Sequence, residues 1–296
     1  MNKVLWLILL LLQSALVHAE DAVVFKLDTE LSRSAFKSVT SPQLKSSIAL
    51  IYDLNGRGAL YSKNSDTVAP IASITKLMTA MVVLDAQLPL DEKITITVDD
   101  ADTIKGTRSR LRTGMRFTRS ELLNLALMSS ENRAAAALAR TYPGGTKIAL
   151  MMMNDKARHL GMSDTRFVEP TGLSSDNVST ARDLVKMVTA AGNYPLIHKY
   201  TTTASYSVTG KGGRELRFNN TNPLVKNASW EIGVSKTGFI SEAGRCLVME
   251  ATIDDRPVVI VLLDSSGSRS RIGDANRIKQ WMESANLDRR TLLSRS

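Results

Sequence analysis

The order of strand-like and helix-like segments most constrains how this chain can fold. Near its start, SSIALIYDLNGRGALYSKN contains two strand-like runs around Asn55-Gly56, a dipeptide typical of a tight hairpin turn. In its last third, GVSKTGFI, GRCLVMEATI and PVVIVLLD predict three more strands. Since helix-like segments lie between these two groups, we expect one sheet assembled from both ends of the chain, with the middle inserted as a helical lobe. A cleft should lie between sheet and lobe.

Helices dominate the predicted middle of the chain. In TRSELLNLALM, Thr118 and Glu121 have the spacing of a capping box at a helix start, and Thr180 and Asp183 have the same spacing in STARDLVKMVTAA. The other predicted elements are helices at 73–86, 146–160 and near 272–285, a strand in KITITV, and a hairpin around 210–213.

The first residues indicate an exported protein. At 1–19, Lys3 precedes an apolar run and the small residue Ala19 ends the segment, which is typical of a cleaved signal peptide. The run is shorter than the about 20 residues that a membrane span needs, so we expect a periplasmic protein without a stable membrane anchor; an uncleaved anchor is the alternative. The other predicted boundaries are a leader at 20–43, a domain at 44–286 with its helical lobe at about 100–195, and a polar tail at 287–296.

The net charge indicates which kinds of binding partner to expect. With 38 basic and 29 acidic residues the net charge is +9, and it would fall by one when Lys3 is removed with the predicted signal peptide. A basic exported protein suits an anionic polymer such as cell wall, or lipid headgroups. Nucleic acid is not expected, because the basic residues are scattered and aromatic residues make up only 5%. The single cysteine, Cys246, excludes an internal disulfide and should be a small buried hydrophobe.

Several classes of catalytic site lack their residues. Only His159 and His198 remain after the signal, and neither has a partner at metal-ligand spacing, so we expect no zinc site. A Ser-His-Asp triad stays open, although no G-x-S-x-G elbow is present, and we expect both histidines to be structural. Glycine-rich phosphate loops are also absent from the sequence.

The stretch PIASITKLMTAMVVLD places a lysine in an otherwise apolar run. Ser73 and Lys76 lie three residues apart, and positions i and i+3 share one face of a helix. Burial among Leu77, Met78 and Met81 disfavours a charged amine, and a neutral lysine can take a proton from serine. The pair therefore predicts a serine nucleophile with a lysine base.

Three motifs occur in order along the chain. Ser73 and Lys76 form S-x-x-K, Ser130-Glu131-Asn132 forms S-x-N in a break between helices, and Lys236-Thr237-Gly238 forms K-T-G in a predicted strand. Each motif alone is weak, since S-x-N occurs elsewhere in the chain as well. Their order and structural context are specific, and the same set is found in class A β-lactamases and penicillin-binding proteins.

The chain strongly resembles the low-molecular-mass penicillin-binding proteins, and most closely those of the D-alanyl-D-alanine endopeptidase type. The resemblance covers about residues 45–285 and includes PIASITKLMTAMVVLDAQLPLDEK, LALMSSENRAAAALA, TRFVEPTGLSSDNVSTARDL and KTGFISEAGRCLVM. It implies an α/β (α+β) fold: an antiparallel sheet flanked by helices with an inserted helical subdomain, as in serine β-lactamases and transpeptidases.

The resemblance also implies a mechanism. Ser73 attacks a D-alanyl carbonyl to form an acyl-enzyme, Lys76 takes its proton, and Ser130 relays a proton to the leaving amine. Asn132 holds the substrate amide, and the implied mechanism needs no metal or cofactor.

The third motif completes the implied site. Lys236 and Thr237 bind the carboxylate of the leaving part, Gly238 lets the substrate approach, and the backbone N–H groups of Ser73 and Phe239 hold the oxyanion. The implied substrate is the D-alanyl-diaminopimelate crosslink of peptidoglycan, and β-lactam antibiotics are the implied covalent inhibitors.

Other functions stay open at this point. The motifs also fit a D,D-carboxypeptidase that removes terminal D-alanine, or a β-lactamase, for which Glu169 resembles the glutamate that activates water. Leu173 stands where class A β-lactamases keep an asparagine, so we expect Glu169 to be structural. A non-enzymatic penicillin sensor would be tethered to a membrane-spanning signalling region, which the sequence lacks. Arg271 either binds a carboxylate or is a solvated surface charge, and we expect the second.

Overall fold

The computed structural model describes residues 40–56 and 58–293. The predicted signal peptide at 1–19, and the leader up to residue 39, lie outside the described residues. Within the described part, no helix is both long and apolar enough to cross a bilayer. Residues 43–277 form one compact unit, which contains every strand named below; the other described residues, 40–42 and 278–293, belong to a second unit.

The strands and helices follow one another as the sequence predicts in outline. The strands are β1 Ser46–Asp53, β2 Gly58–Lys63, β3 Ala69–Pro70, β4 Lys93–Thr95, β5 Arg116–Thr118, β6 Val178–Ser179, β7 Ser205–Thr209, β8 Glu215–Asn219, β9 Glu231–Ile240, β10 Gly244–Ile253 and β11 Arg256–Ser265. The α-helices are α1 Thr75–Asp85, α2 Arg119–Met128, α3 Asn132–Arg140, α4 Gly145–His159, α5 Ala181–Gly192, α6 Pro195–Thr201 and α7 Ser270–Leu293. Short 3-10 helices lie at Ala72–Ile74, Val98–Asp100, Lys211–Gly213 and Pro223–Lys226.

The central sheet is built from both ends of the chain. Its five antiparallel strands have the order β2-β1-β11-β10-β9. Thus β1, from the start of the folded unit, pairs with β11, from its end, and the predicted closure of one sheet by both ends is confirmed. The strand β9, which carries the K-T-G motif, lies at one edge.

The inner strands are apolar because both of their faces are covered. In β11 every residue from Val258 to Leu263 is buried, a continuous run typical of a strand packed on both sides. Helix α5 packs against β1, β9, β10 and β11. Helix α1 is buried along nearly its whole length and contacts α2, α3, α4 and α5, so it lies at the centre of these helices.

Two local predictions were only partly right. KITITV forms a strand over Lys93–Thr95 alone, because the Thr97 amide donates to the Asp100 carboxylate at 2.7 Å and starts a 3-10 helix. The capping box of Thr118 and Glu121 is complete, whereas at α5 only the Asp183 amide donates to Thr180. The Asp183 carboxylate instead accepts from the Asp164 amide, which fastens a distant loop to the helix.

A buried carboxylate joins the start of β1 to the closing helix. Asp274, in the first turns of α7, accepts hydrogen bonds from the amides of Lys45 and Ser46 at 3.0 and 2.8 Å and from the Ser46 hydroxyl at 2.5 Å. It also forms an ion pair with Arg277. Burial alone would raise the pKa of Asp274, but these hydrogen bonds outweigh it and hold the pKa below the usual 3.8.

We expect Asp274→Asn to lower the free energy of unfolding at pH 7 by about 2 kcal/mol, because buried donors lose their anionic acceptor. A folded-state pKa below the unfolded value gives stability that is complete above about pH 4 and is lost as pH falls through the folded pKa. The gap between wild type and variant should therefore shrink in acid, as measured by urea unfolding from pH 7 to pH 3.

The matched control is Asp91→Asn, which removes a carboxylate at an exposed position. It should change stability by less than about 0.5 kcal/mol at either pH. A gap between wild type and Asp274→Asn that stays constant with pH would contradict the assigned role of the Asp274 charge.

Candidate active site

The first motif begins in a strained turn. Ser73 lies in the 3-10 helix Ala72–Ile74, which leads directly into α1. Ala72 has φ 48, in the left-handed region, although it has no polar side chain that would favour this conformation. Such a conformation costs about 1–2 kcal/mol for a residue with a Cβ. The fold maintains this strain immediately before Ser73, as is common next to reactive groups.

Lys76 is buried directly behind Ser73. Only 1% of the residue is exposed, and its amine Nζ lies 2.9 Å from Ser73 Oγ, 2.7 Å from Asn132 Oδ1 and 2.5 Å from the Thr171 carbonyl oxygen. Burial lowers the pKa of Lys76 to about 8, although the charges of Glu169, Glu131 and Asp102 oppose this effect. About a tenth of the amine is therefore neutral at pH 7, against far less than a hundredth for an ordinary lysine.

The second motif lies in the short break between α2 and α3. Ser130 has φ 61, so the chain reverses sharply there, and the Glu131 side chain accepts from the Arg133 amide to cap α3. The Asn132 side chain accepts from Lys76 through Oδ1 and donates to Thr107 Oγ1 at 2.9 Å through Nδ2. The orientation of this amide is thus fixed from both sides.

The third motif brings a second buried lysine to the site from the sheet. Lys236 is 1% exposed, and its Nζ donates to Ser130 Oγ at 3.0 Å and to the Thr237 carbonyl oxygen at 2.8 Å. Burial, reinforced by the charges of Lys76 and Arg271, holds the pKa of Lys236 well below its usual range. An arriving anion would favour the charged form of this lysine.

Gly238 packs against the backbone of the serine turn. A Cβ at this position would lie 2.9 Å from the Ile71 carbonyl oxygen and 3.2 Å from the Ser73 amide nitrogen, closer than side chains normally approach. Strand β9 and the serine turn can therefore come this close only where β9 has a glycine. Phe239 follows, with 53% of its surface exposed, on the rim of the cleft.

The structure brings the predicted residues to one cleft of about 450 Å³. Its lining includes Ser73, Ser130, Asn132, Thr237, Gly238 and Phe239, with Lys76 and Lys236 hydrogen-bonded to the serines of the first two motifs. Sequence reasoning missed other lining residues, which are Lys105, Thr107, Thr221, Ile240 and Ser241. Thr221 accepts a hydrogen bond from Thr237 at 2.6 Å and so fixes the rotamer of that hydroxyl.

The interpretation of Arg271 as a solvated surface charge is wrong. Its side chain is partly buried in the wall of the cleft and donates to the Gly238 carbonyl oxygen at 2.9 Å. Burial lowers its pKa, and the nearby charge of Arg245 adds to this effect. The guanidinium thus braces β9 beside the third motif.

The loop after α4 supplies the last partner of Lys76. Glu169 accepts hydrogen bonds through Oε2 from the Thr171 amide and hydroxyl, at 2.7 and 2.5 Å, and through Oε1 from the amides of Gly172 and Leu173, at 2.5 and 2.9 Å. The loop is therefore wound around this carboxylate. In the sequence, only the segment VEPTGL pointed to this loop. The contact between the loop and Lys76 could not be predicted, because it is made by a backbone atom.

Two residues considered for other chemistries, Cys246 and His159, have structural contacts. Cys246 is fully buried, and burial raises its pKa to about 11, which confirms it as an unreactive core residue. His159 Nδ1 lies 2.9 Å from the Asp155 carbonyl oxygen within its own helix. Among the residues described by the structure, no group of histidine, cysteine and carboxylate side chains could hold a metal ion.

Comparison with known proteins identifies the family of this chain. Residues 35–267 match the peptidase family described as D-alanyl-D-alanine carboxypeptidase. The chain belongs to this family. The expected resemblance to penicillin-binding peptidases, and with it the expectation of a serine hydrolase, is confirmed.

Two relatives of this chain are named D-alanyl-D-alanine endopeptidases. That of Escherichia coli is 48% identical over 88% of this chain and 85% of its own length; that of Pseudomonas aeruginosa is 51% identical over 81% and 78%. The crystal structure of a Streptomyces DD-transpeptidase superposes with a TM-score of 0.77 at 30% identity, over 83% of this chain and 100% of the other. This superposition confirms the predicted transpeptidase-like fold.

Substitution of Gly172 tests how closely the Glu169 loop packs against the serine turn. Gly172 has φ +83, and a Cβ there would lie 2.0 Å from the Ala72 carbonyl oxygen. We expect Gly172→Ala to lower the free energy of unfolding by about 2–4 kcal/mol, because backbone strain and a clash with main-chain atoms add together. Chemical denaturation measures the loss.

Gly161→Ala is the matched control, since Gly161 has φ +70 but no atom within 4 Å of its would-be Cβ. It should lose only the conformational part, about 1–2 kcal/mol. Equal losses in the two variants would show that the loop does not press on the serine turn.

Proposed function

We propose that this protein is a penicillin-sensitive serine D,D-peptidase that hydrolyses D-alanyl-diaminopimelate crosslinks of peptidoglycan through an acyl-enzyme on Ser73. The observation that carries the proposal is the buried Lys76 amine, 2.9 Å from Ser73 Oγ and with a pKa of about 8. An amine in this state can accept the hydroxyl proton as the oxygen attacks a carbonyl carbon.

The two buried lysines would divide the proton transfers between them. Lys76 takes the proton of Ser73 as the acyl-enzyme forms. Ser130, held by Lys236 at 3.0 Å, then delivers its hydroxyl proton to the leaving amine and receives in exchange the proton that Lys76 took, so that Lys76 is neutral again. Hydrolysis of the acyl-enzyme by water releases the shortened peptide and returns the proton to Ser73.

Binding groups are supplied by the edge of the sheet. The amides of Ser73 and Phe239 would hold the oxyanion, and the close approach of Gly238 to Ser73 supports this placement. The charged form of Lys236, the Thr237 hydroxyl and the guanidinium of Arg271 would receive the carboxylate beside the scissile bond. The Asn132 amide would hold the peptide on the other side of the cleft.

Crosslinks are proposed as the preferred bond because the two relatives near 50% identity are endopeptidases. A D,D-carboxypeptidase that removes terminal D-alanine is the second candidate, because the family description names that activity. A β-lactamase is disfavoured because both carboxylate oxygens of Glu169 already accept hydrogen bonds from the protein. Export to the periplasm and a role in cell-wall growth and cell shape are part of the proposal.

Lys76→Arg tests the proton acceptor. Arginine stays charged at any usable pH, so acylation by penicillin should fall by at least about 10³-fold while the protein stays folded. In the wild type, the acylation rate should rise as pH increases through about 8, because only the neutral Lys76 amine is a base. Stopped-flow acylation and peptide mapping of the adduct measure both effects.

Exposed Lys93 provides the control, since Lys93→Arg makes the same change away from the cleft and should leave the rate unchanged. Rapid acylation of Lys76→Arg, or an adduct on a serine other than Ser73, would contradict the assignment.

The bond that is cut is tested with purified muropeptides. We expect crosslinked dimers to be converted to monomers faster than pentapeptide monomers lose their terminal D-alanine, with Ser73→Ala as the inactive control. Liquid chromatography with mass spectrometry follows both products in one mixture. Faster trimming of the pentapeptide would favour the carboxypeptidase, and sustained turnover of a cephalosporin would favour the β-lactamase.

A further inference from the structure

The direction of the Lys76 hydrogens decides whether this amine can act as a base. A neutral amine has two hydrogens and one lone pair, whereas an ammonium has three hydrogens. Three atoms surround Nζ, and two of them, Asn132 Oδ1 and the Thr171 carbonyl oxygen, can only accept. When both accept a hydrogen, the lone pair is left facing Ser73 Oγ. The Thr171 carbonyl therefore supplies half of this orientation.

The position of the Thr171 carbonyl is set by the turn that contains it. This turn has no regular secondary structure, and its backbone amides from Thr171 to Leu173 all donate to the Glu169 carboxylate. The carboxylate thus replaces the missing backbone partners. Since the amides converge on Glu169, the Thr171 carbonyl oxygen is free to receive Lys76.

Glu169 is itself held by a buried asparagine. The Asn177 Nδ2 donates to Glu169 Oε1 at 2.9 Å and to Thr75 Oγ1, in the first turn of α1, at 3.1 Å. Asn177 is 0% exposed, and its backbone carbonyl accepts from the Ile71 amide beside the serine turn. One network therefore runs from the carboxylate to the helix that carries Lys76.

The negative charge of Glu169 also acts on Lys76. It is the largest of the three carboxylate effects that oppose the lowering of the Lys76 pKa by burial, ahead of Glu131 and Asp102. Lys236 is a further titratable group near Lys76, because the charge of Lys76 contributes to lowering the pKa of Lys236. Removing the Glu169 charge should lower the pKa of Lys76 further.

We infer that Glu169 is a positioning residue: its carboxylate shapes the turn at 171–174 so that the Thr171 carbonyl holds one Lys76 hydrogen away from Ser73. This inference rests on the proposed function, in which Lys76 takes the proton of Ser73. Glu169 acts through the turn and touches neither the substrate nor the reacting atoms.

Glu169→Gln is the first test. The amide nitrogen of glutamine cannot accept the hydrogens that both carboxylate oxygens accept now, so the Thr171 peptide must shift. We expect the plateau rate of Ser73 acylation by penicillin at high pH to fall about tenfold, the equivalent of one well-placed hydrogen bond. The rise of the rate with pH should also move below the wild-type value of about 8, because a negative charge near Lys76 is lost.

Glu169→Asp separates geometry from charge. It keeps the negative charge but withdraws the carboxylate by one methylene group, so the plateau rate should fall while the rise stays near the wild-type pH. Asp176→Asn is the matched control, because it removes an exposed carboxylate from the same loop and keeps the backbone amide that donates to Ser174 Oγ. It should leave the plateau and the pH of the rise unchanged.

A merely structural role is excluded by counting the active molecules. The amount of penicillin bound per protein in the initial burst measures the fraction of molecules that are folded and active. The pH dependence of the acylation rate in those molecules is the same whether they are many or few. A normal burst with wild-type plateau and wild-type pH dependence in either Glu169 variant would overturn the inference. If Glu169→Gln does not fold, an unchanged plateau in Glu169→Asp overturns it alone. Failure of the wild type to acylate at Ser73 would overturn the proposed function itself.

Discussion

The arrangement of the cleft depends on the buried amine of Lys76. An ammonium at 1% exposure without partners would cost several kcal/mol, so acceptors must surround it. Its three partners come from separate parts of the chain: the serine turn, the break before α3, and the loop around Glu169. The hydrogen bonds that solvate one amine therefore also fix the relative position of three segments that line the cleft.

A second buried lysine gives the site its electrical asymmetry. Lys236 donates to one serine hydroxyl and one carbonyl, and among the residues that the structure describes no carboxylate is its hydrogen-bond partner. Lys76, in contrast, is near three carboxylates, of which Glu169 acts most strongly. The two amines are thus both buried, but the charges around them differ. On the proposed function, this difference suits one amine to proton transfer and the other to an arriving carboxylate.

The sequence predicted those parts of the structure that depend on local pattern. The sheet followed from apolar runs such as that of β11, and the three motifs followed from side chains at fixed spacing. The parts it did not predict depend on backbone atoms or on distant partners. The Thr171 contact is made by a carbonyl oxygen that every residue type has, and Arg271 is drawn out of solvent by a carbonyl of β9. Asp183 had the spacing of a cap but bonds to another loop.

The position of β9 at one edge of the sheet is the feature that connects this electrostatic arrangement to a polymer. An edge strand has backbone groups that no neighbouring strand of the sheet pairs, and proteins usually protect such edges. Here the edge lies beside Ser73, and Phe239 stands half exposed on it with the Arg245 guanidinium 4.5 Å above its ring.

An extended peptide that pairs with this edge would be held by main-chain hydrogen bonds, which do not depend on its side chains. Selectivity must then come from the two walls of the cleft, where Lys105 of the helical lobe pairs with Glu242 of the β9–β10 turn at 2.5 Å. Both side chains are partly exposed, so the pair is worth little in water and can yield to a carboxylate or ammonium of the substrate. On the proposed function, the edge therefore provides general affinity for peptide stems, while the charged walls distinguish one stem from another.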